Sequence, residues 1–183
     1  NIERISPDDG MEYFFGYYDK SPWDATDRYM LCLRVKNTTT SVAPKEPADI
    51  ILFDTHDNNS YEILGRTNTW NVQQGAMLQW LGPDYREKII YNDFREDRYC
   101  SVILNINTFE EKVIDMPVYN VANNGKFALS LDFSRLHRLR PGYGYSNVSD
   151  QFENEKCPNV PCIWHIDLCN GEFRNLCSSS RQW

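Results

Sequence analysis

Long apolar runs are missing from this sequence. No uncharged apolar stretch approaches the roughly 18 residues a membrane-spanning helix requires, so a helical span is excluded. Positive charge is also in deficit: 19 lysines and arginines face 26 acidic residues, a formal charge of −7 on 183 residues. Phosphate backbones and anionic bilayers demand clustered cations, so neither nucleic acid nor a membrane is an expected partner. Glycine and proline, nine of each, are too few for a collagen-like or low-complexity chain. Histidine is scarcer still, at three residues. Extended helical periodicity is absent, as are a phosphate loop, an HExxH pair, a nucleophile elbow and paired-carboxylate spacing. The opening Asn1-Ile2-Glu3-Arg4-Ile5 shows no charged segment leading into an apolar one, so no export signal is visible and a cytoplasmic, reducing setting is expected.

Aromatic residues, by contrast, make up 14% of the chain, far more than a solvated tail would carry. The six cysteines form no tight zinc spacing: Cys157, Cys162 and Cys169, even with His165 added, are too loosely placed. Cys32 and Cys100 sit within strand-like runs and read as small buried hydrophobes. Neither a metal nor another cofactor is evident.

Short runs of β-branched and aromatic residues recur between clusters of Asp, Asn, Gly and Pro, the pattern of an all-β protein. The stretch from Gly16 to Val35 overlays that from Gly75 to Phe94 without a gap. Each copy starts at a glycine, runs as a strand, turns at a polar cluster and returns, and two more strands follow. A third copy has its turn at Asn124-Gly125 and later strands at Cys162–Leu168 and Glu172–Leu176. Head-to-tail units of four antiparallel strands indicate a β-propeller. The whole of 1–183 then reads as one propeller region of three blades, near 12–66, 72–117 and 118–177. Propellers close with about four to eight blades. Three leave two sheet faces uncovered, so remaining blades or a second copy are needed to complete a six- or seven-bladed ring. A β-sandwich of about 10–12 strands is the alternative that regular turn spacing leaves open.

The strand–turn–strand segments around Ser21-Pro22-Trp23, Gly82-Pro83-Asp84 and Asn123-Asn124-Gly125-Lys126, the strand Ile163-Trp164-His165-Ile166-Asp167-Leu168 and the turn Cys169-Asn170-Gly171-Glu172 resemble those of the TolB-like β-propellers. Within that family they resemble the oligogalacturonate-lyase-like group and its many bacterial members. The resemblance implies a propeller fold, and for the lyases a divalent metal held largely by histidines. His56, His137 and His165 lie in three different kinds of segment, so no metal-binding set carries over.

In an antiparallel blade the first strand begins, and the second ends, on the same rim. That rim collects Tyr17, Tyr18 and Asp19, then Arg34, Gln73, Gln74, Asp93 and Asp132. Arg34, Asp93 and Asp132 are equivalent in the repeat and form either a polar ring or a set of solvated strand ends. The stretch from Ser134 to Tyr145 is the most informative. Ser134 can cap a helical turn, Leu136 and Leu139 can hold it to the blade, and Pro141-Gly142 can stop it. Arg135, Arg138 and Arg140 with His137, Tyr143 and Tyr145 then offer guanidinium forks and sugar-stacking rings. Alternatively Arg135 and Arg138 pair with acids such as Asp132 or Asp150 and fasten the insertion. The expected function is a binding module for an anionic carbohydrate or a protein partner. The alternative is a metal-dependent uronate lyase, with arginines on the substrate carboxylate and His137, Lys36 or a tyrosinate as base.

Overall fold

The structure is a computed structural model and describes residues 2–39 and 46–178. Among the described residues twelve strands form three separate four-stranded sheets, each a meander in chain order. The first contains β1 (Glu12–Phe14), β2 (Tyr29–Val35), β3 (Ala48–Asp54) and β4 (Ser60–Thr67). The second contains β5 (Gln79–Trp80), β6 (Lys88–Arg95), β7 (Arg98–Asn105) and β8 (Glu111–Ile114). The third contains β9 (Asn120–Val121), β10 (Phe127–Leu131), β11 (Pro161–Asp167) and β12 (Phe173–Ser178). All pairings are antiparallel, and three sheets rather than two set aside the sandwich.

Alternation along the central strands explains the stacking. In β6, Ile89 and Tyr91 point to the first sheet and Ile90 to the third. One core therefore joins Leu31, Leu33, Ile50 and Leu52 to Trp80, Ile89, Tyr91 and Val102. The other joins Ile90, Ile103 and Ile114 to Ala128, Ile166 and Leu168. Glycines set the spacing at the inner edge. A side chain at Gly75 would come within 2.9 Å of the Phe15 carbonyl oxygen, and one at Gly16 equally close to that of Gln74. Gly82 and Gly125 abut in the same way between the second and third sheets.

The end faces differ, which corrects the expectation of two uncovered ones. On the first sheet Cys32, Ile51 and Phe53 are buried beneath Ile5, Tyr13 and Met30. On the third, Phe127, Leu129 and Ile163 are exposed. The hydrogen bonds Asp24 N to Tyr29 O, Leu81 N to Lys88 O and Ala122 N to Phe127 O fix the equivalence of the sheets. They make Leu129 the counterpart of Leu31 and Ile90, which are fully buried while Leu129 is 43% exposed.

The same bonds correct the gapless overlay. The turn runs from 24 to 29 in the first sheet but from 81 to 88 in the second, so the second strands coincide while the first strands are offset by two residues. The first strand of the first blade moreover precedes Gly16, and only Trp23 bridges to Met30 after it. Long insertions do share one rim. β6 and β7 meet in a two-residue turn at Glu96-Asp97, both left-handed, whereas 36–47 and 132–160 intervene at the same place in the other blades. Residues 40–45 of the first insertion, including Thr40, lie outside the described residues.

Candidate functional site

The equivalent charges do not form an open ring. Arg34 donates from Nε and Nη2 to Asp49 at 3.0 and 2.6 Å, and Arg66 reaches the other oxygen of the same carboxylate. Asp93 is buried and accepts from the Asn68 amide at 2.7 Å and from Arg95 at 2.6 Å. Asp132 caps α1 (Phe133–Leu139) by accepting from the Arg135 amide. Arg34 and Asp132 are used within their own blade or loop, and Asp93 also ties the second blade to the segment that follows β4.

The capping residue is thus Asp132, not Ser134, which is buried in the first turn. Nor does Leu139 hold the helix down: it is 60% exposed, Leu136 is half-buried, and Phe133 buries itself fully, stacked on Tyr145 at 4.5 Å. Tyr145 is 1% exposed and accepts a hydrogen bond from Asn92 Nδ2, so the structure places it in the core and not at a ligand surface. Arg138 Nε donates to Asp150 at 2.7 Å, and Arg135 lies 3.5 Å from the same carboxylate while bonding Lys156 O. Both arginines therefore fasten the insertion, the second of the two roles open to them.

Burial alone would raise the Asp150 carboxyl. The Arg138 hydrogen bond, the Phe152 amide and two guanidinium charges outweigh it and leave the carboxyl below its ordinary value. A carboxyl lowered on folding contributes stability above its ordinary pKa and loses it as pH falls. Acidification below about pH 4 is thus expected to loosen residues 140–152. Hydrogen exchange there should accelerate before the sheets respond, and Asp150→Asn should abolish the pH dependence by loosening the loop at every pH.

The rest of the insertion is joined to the link between β4 and β5, and to Tyr99 of β7, by a polar seam that sequence reasoning did not single out. Thr69 Oγ1 donates to Asn147, Asn147 Nδ2 to Asn68 O, Asn71 Nδ2 to Gly144 O, and the Val148 amide to Tyr99 OH. The signal was present in the polar run Thr67-Asn68-Thr69 and Asn71, which ends β4 with side chains unsuited to a core.

This seam brings Tyr143 and Arg140 against the loop that follows β1. Tyr17 lies between Tyr18, at a ring separation of 4.4 Å, and Tyr143, edge-on at 6.0 Å. Hydrogen bonding to Tyr143 and to Tyr18 raises the Tyr17 phenol. Arg140 stacks its guanidinium 4.0 Å from the Tyr143 ring centre and donates to its hydroxyl. Among the described residues Arg140 makes no ion pair, unlike Arg34, Arg135 and Arg138. Tyr18 is 87% exposed. Gln73 is exposed beside Gly142, whereas Gln74 is buried and bonds Tyr119 and Gly144. His137 is half-buried, its Nδ1 3.2 Å from Tyr143 O. Asp19, bonded to Lys20, stands at the lip of a cleft of about 160 Å³ to which the inner segments of all three blades contribute, through Ser21, Gln79 and Asn120.

Tyr17 was on the predicted rim but outside the predicted ligand set, and it proves to be the centre of the aromatic cluster. His56 is exposed in a turn, and His165 packs on Phe127. Among the described residues no three His, Cys, Asp or Glu side chains are grouped to hold a metal ion. Nor is any helix there long and apolar enough to cross a membrane.

No known protein family and no curated protein matches the chain. Among solved structures it is similar to the crystal structure of TolB from Acinetobacter baumannii, at a TM-score of 0.50 and 14% identity, over 90% of this chain and 32% of that one. The apo structure of the isopeptidase AtxE2 overlaps 92% of this chain and 30% of its own length, at a TM-score of 0.49 and 9% identity. The chain spans about a third of the length of these proteins. At such identity the TolB likeness is one of fold alone: the three sheets are blades of a β-propeller.

Proposed function

We propose that the chain is part of a propeller that binds an anionic saccharide on the rim formed by Tyr17, Tyr18, Arg140 and Tyr143. The observation that carries this reading is the Arg140–Tyr143 stack: a guanidinium held over a ring, with no carboxylate paired to it among the described residues, beside an exposed tyrosine. Rings of this kind present a flat apolar face to a sugar and a hydroxyl to its edge, while the guanidinium takes a carboxylate through parallel N–H donors. The resemblance to oligogalacturonate-lyase-like proteins favours the same ligand class, an acidic sugar. The exposed face of the third sheet takes a further blade of the same ring, with Leu129 in the role that Leu31 and Ile90 play inside. The support for this is continuity with the two buried interfaces.

Titration calorimetry with oligogalacturonate at low salt tests the saccharide reading. Saturable binding is expected, with Arg140→Ala and Tyr143→Ala each weakening it by about 1–3 kcal/mol and His56→Ala, far from the rim, leaving it unchanged. Equal affinity in all four proteins would refute the assigned rim. Release of unsaturated product on adding a divalent metal would replace the binding module with a lyase.

A further inference from the structure

The third sheet carries a pair of thiols that the saccharide rim does not use. β11 and β12 lose register where Pro161 faces Ser178 and Ile163 faces Cys177, which leaves Cys162 as the extra residue of a bulge. Its Sγ lies 3.2 Å from Cys177 Sγ and 3.3 Å from the Cys177 carbonyl oxygen. No disulfide joins them. The two sulfurs are already in contact across neighbouring strands and need to approach by only about 1 Å more to reach a disulfide bond length.

We propose that Cys162 and Cys177 are an oxidation site that closes into a reversible disulfide on exchange with a small-molecule disulfide such as oxidised glutathione. Cys177 is the more exposed of the two and reacts first. Its thiolate attacks one sulfur of glutathione disulfide, forming a mixed disulfide and expelling one glutathione thiolate. The Cys162 thiolate then attacks the protein sulfur of that mixed disulfide and expels the second. Two protein thiols are oxidised, one glutathione disulfide is reduced to two thiols, and the two protons released by the protein end on the departing glutathiones. The other strand cysteines are excluded by their surroundings. Cys32 and Cys100 are buried, and burial pushes their thiols up to about 12 and about 11.

The bond would act on the edge of the blade. Among the described residues β12 is hydrogen-bonded within its sheet to β11 alone, so a covalent link between them converts a strand held by one ladder into one that cannot fray separately.

The test uses the full chain, reduced, freed of reductant and equilibrated with mixtures of reduced and oxidised glutathione. Remaining thiols are alkylated and the cross-links mapped by peptide mass spectrometry. The expected result is a peptide pair joined through Cys162 and Cys177, reversed by dithiothreitol, with a rise in melting temperature on the order of 5–10 °C. Cys162→Ser should instead accumulate a stable glutathione adduct on Cys177 and show no rise. The proposal is overturned if both thiols stay open to alkylation in excess oxidised glutathione, or if Cys157 or Cys169 takes part in the dominant cross-link.

Discussion

Gly144→Ala is expected to detach the 140–150 insertion from the link between β4 and β5 and to destabilise the protein by roughly 3–5 kcal/mol. The residue is left-handed, with φ +65°, and a methyl group there would overlap the Phe133 carbonyl oxygen and approach the His137 nitrogen to 2.6 Å. Backbone atoms of a capped helix cannot yield as a flexible side chain can. The alternative is for the loop to lift, which breaks the Asn71 bond to Gly144 O and unseats Tyr145 behind it. Urea titration followed by tryptophan fluorescence measures the loss. Saccharide binding should fall with it, because Tyr143 is the preceding residue. A variant as stable as the parent would mean that the insertion is seated otherwise.

Asn92→Leu should lower stability by about 3–5 kcal/mol, although leucine has the same branched shape. Asn92 is fully buried. Its Oδ1 accepts from the Val118 amide at 2.7 Å, and its Nδ2 donates to Val118 O and Tyr145 OH at 2.8 and 3.0 Å. One side chain thereby imitates a strand neighbour for the linker that leads into the third blade. Leucine would fill the space and leave an amide, a carbonyl and a phenol without partners in a dry interior, where each such group costs about 1–3 kcal/mol. Asn92→Asp should be nearly as damaging, since a carboxylate cannot supply the two donated bonds. Thermal unfolding of the two variants, compared with Leu129→Ala on the exposed face, separates this effect from simple loss of packing.

How much of this was legible varied with the range over which the forces act. The second strands of the blades were plain, because Met30 to Val35 and Ile89 to Phe94 carry the short apolar and aromatic runs of a sheet buried on both faces. The inner strands were not. β5 and β9 have two residues each, too short for any period to register, and their positions follow from stacking between blades. The charged rim was legible only in part for a related reason. The pairing of Arg138 with Asp150 was one of two readings the sequence left open, whereas the partner of Arg34 is Asp49, across a hairpin with a long insertion, and has no fixed sequence spacing to betray it. Asp132 was recognised as a strand end, but its capping role depends on a helix starting one residue later. The cover over the first sheet by Ile5 came from a segment with no strand pattern at all.

The paired glycines between the sheets determine how the stack bends. Where Gly16 meets Gly75 and Gly82 meets Gly125, main chain rests on main chain, so the layers are thin near the axis, whereas further out leucine, isoleucine and tyrosine keep them a full side-chain layer apart. Layers of unequal thickness make wedges, and wedges laid side by side turn a corner that parallel slabs would not. Curvature here is accordingly a property of absent side chains: a methyl group at any of these contacts would press on main-chain atoms of the facing segment and push the inner edges apart.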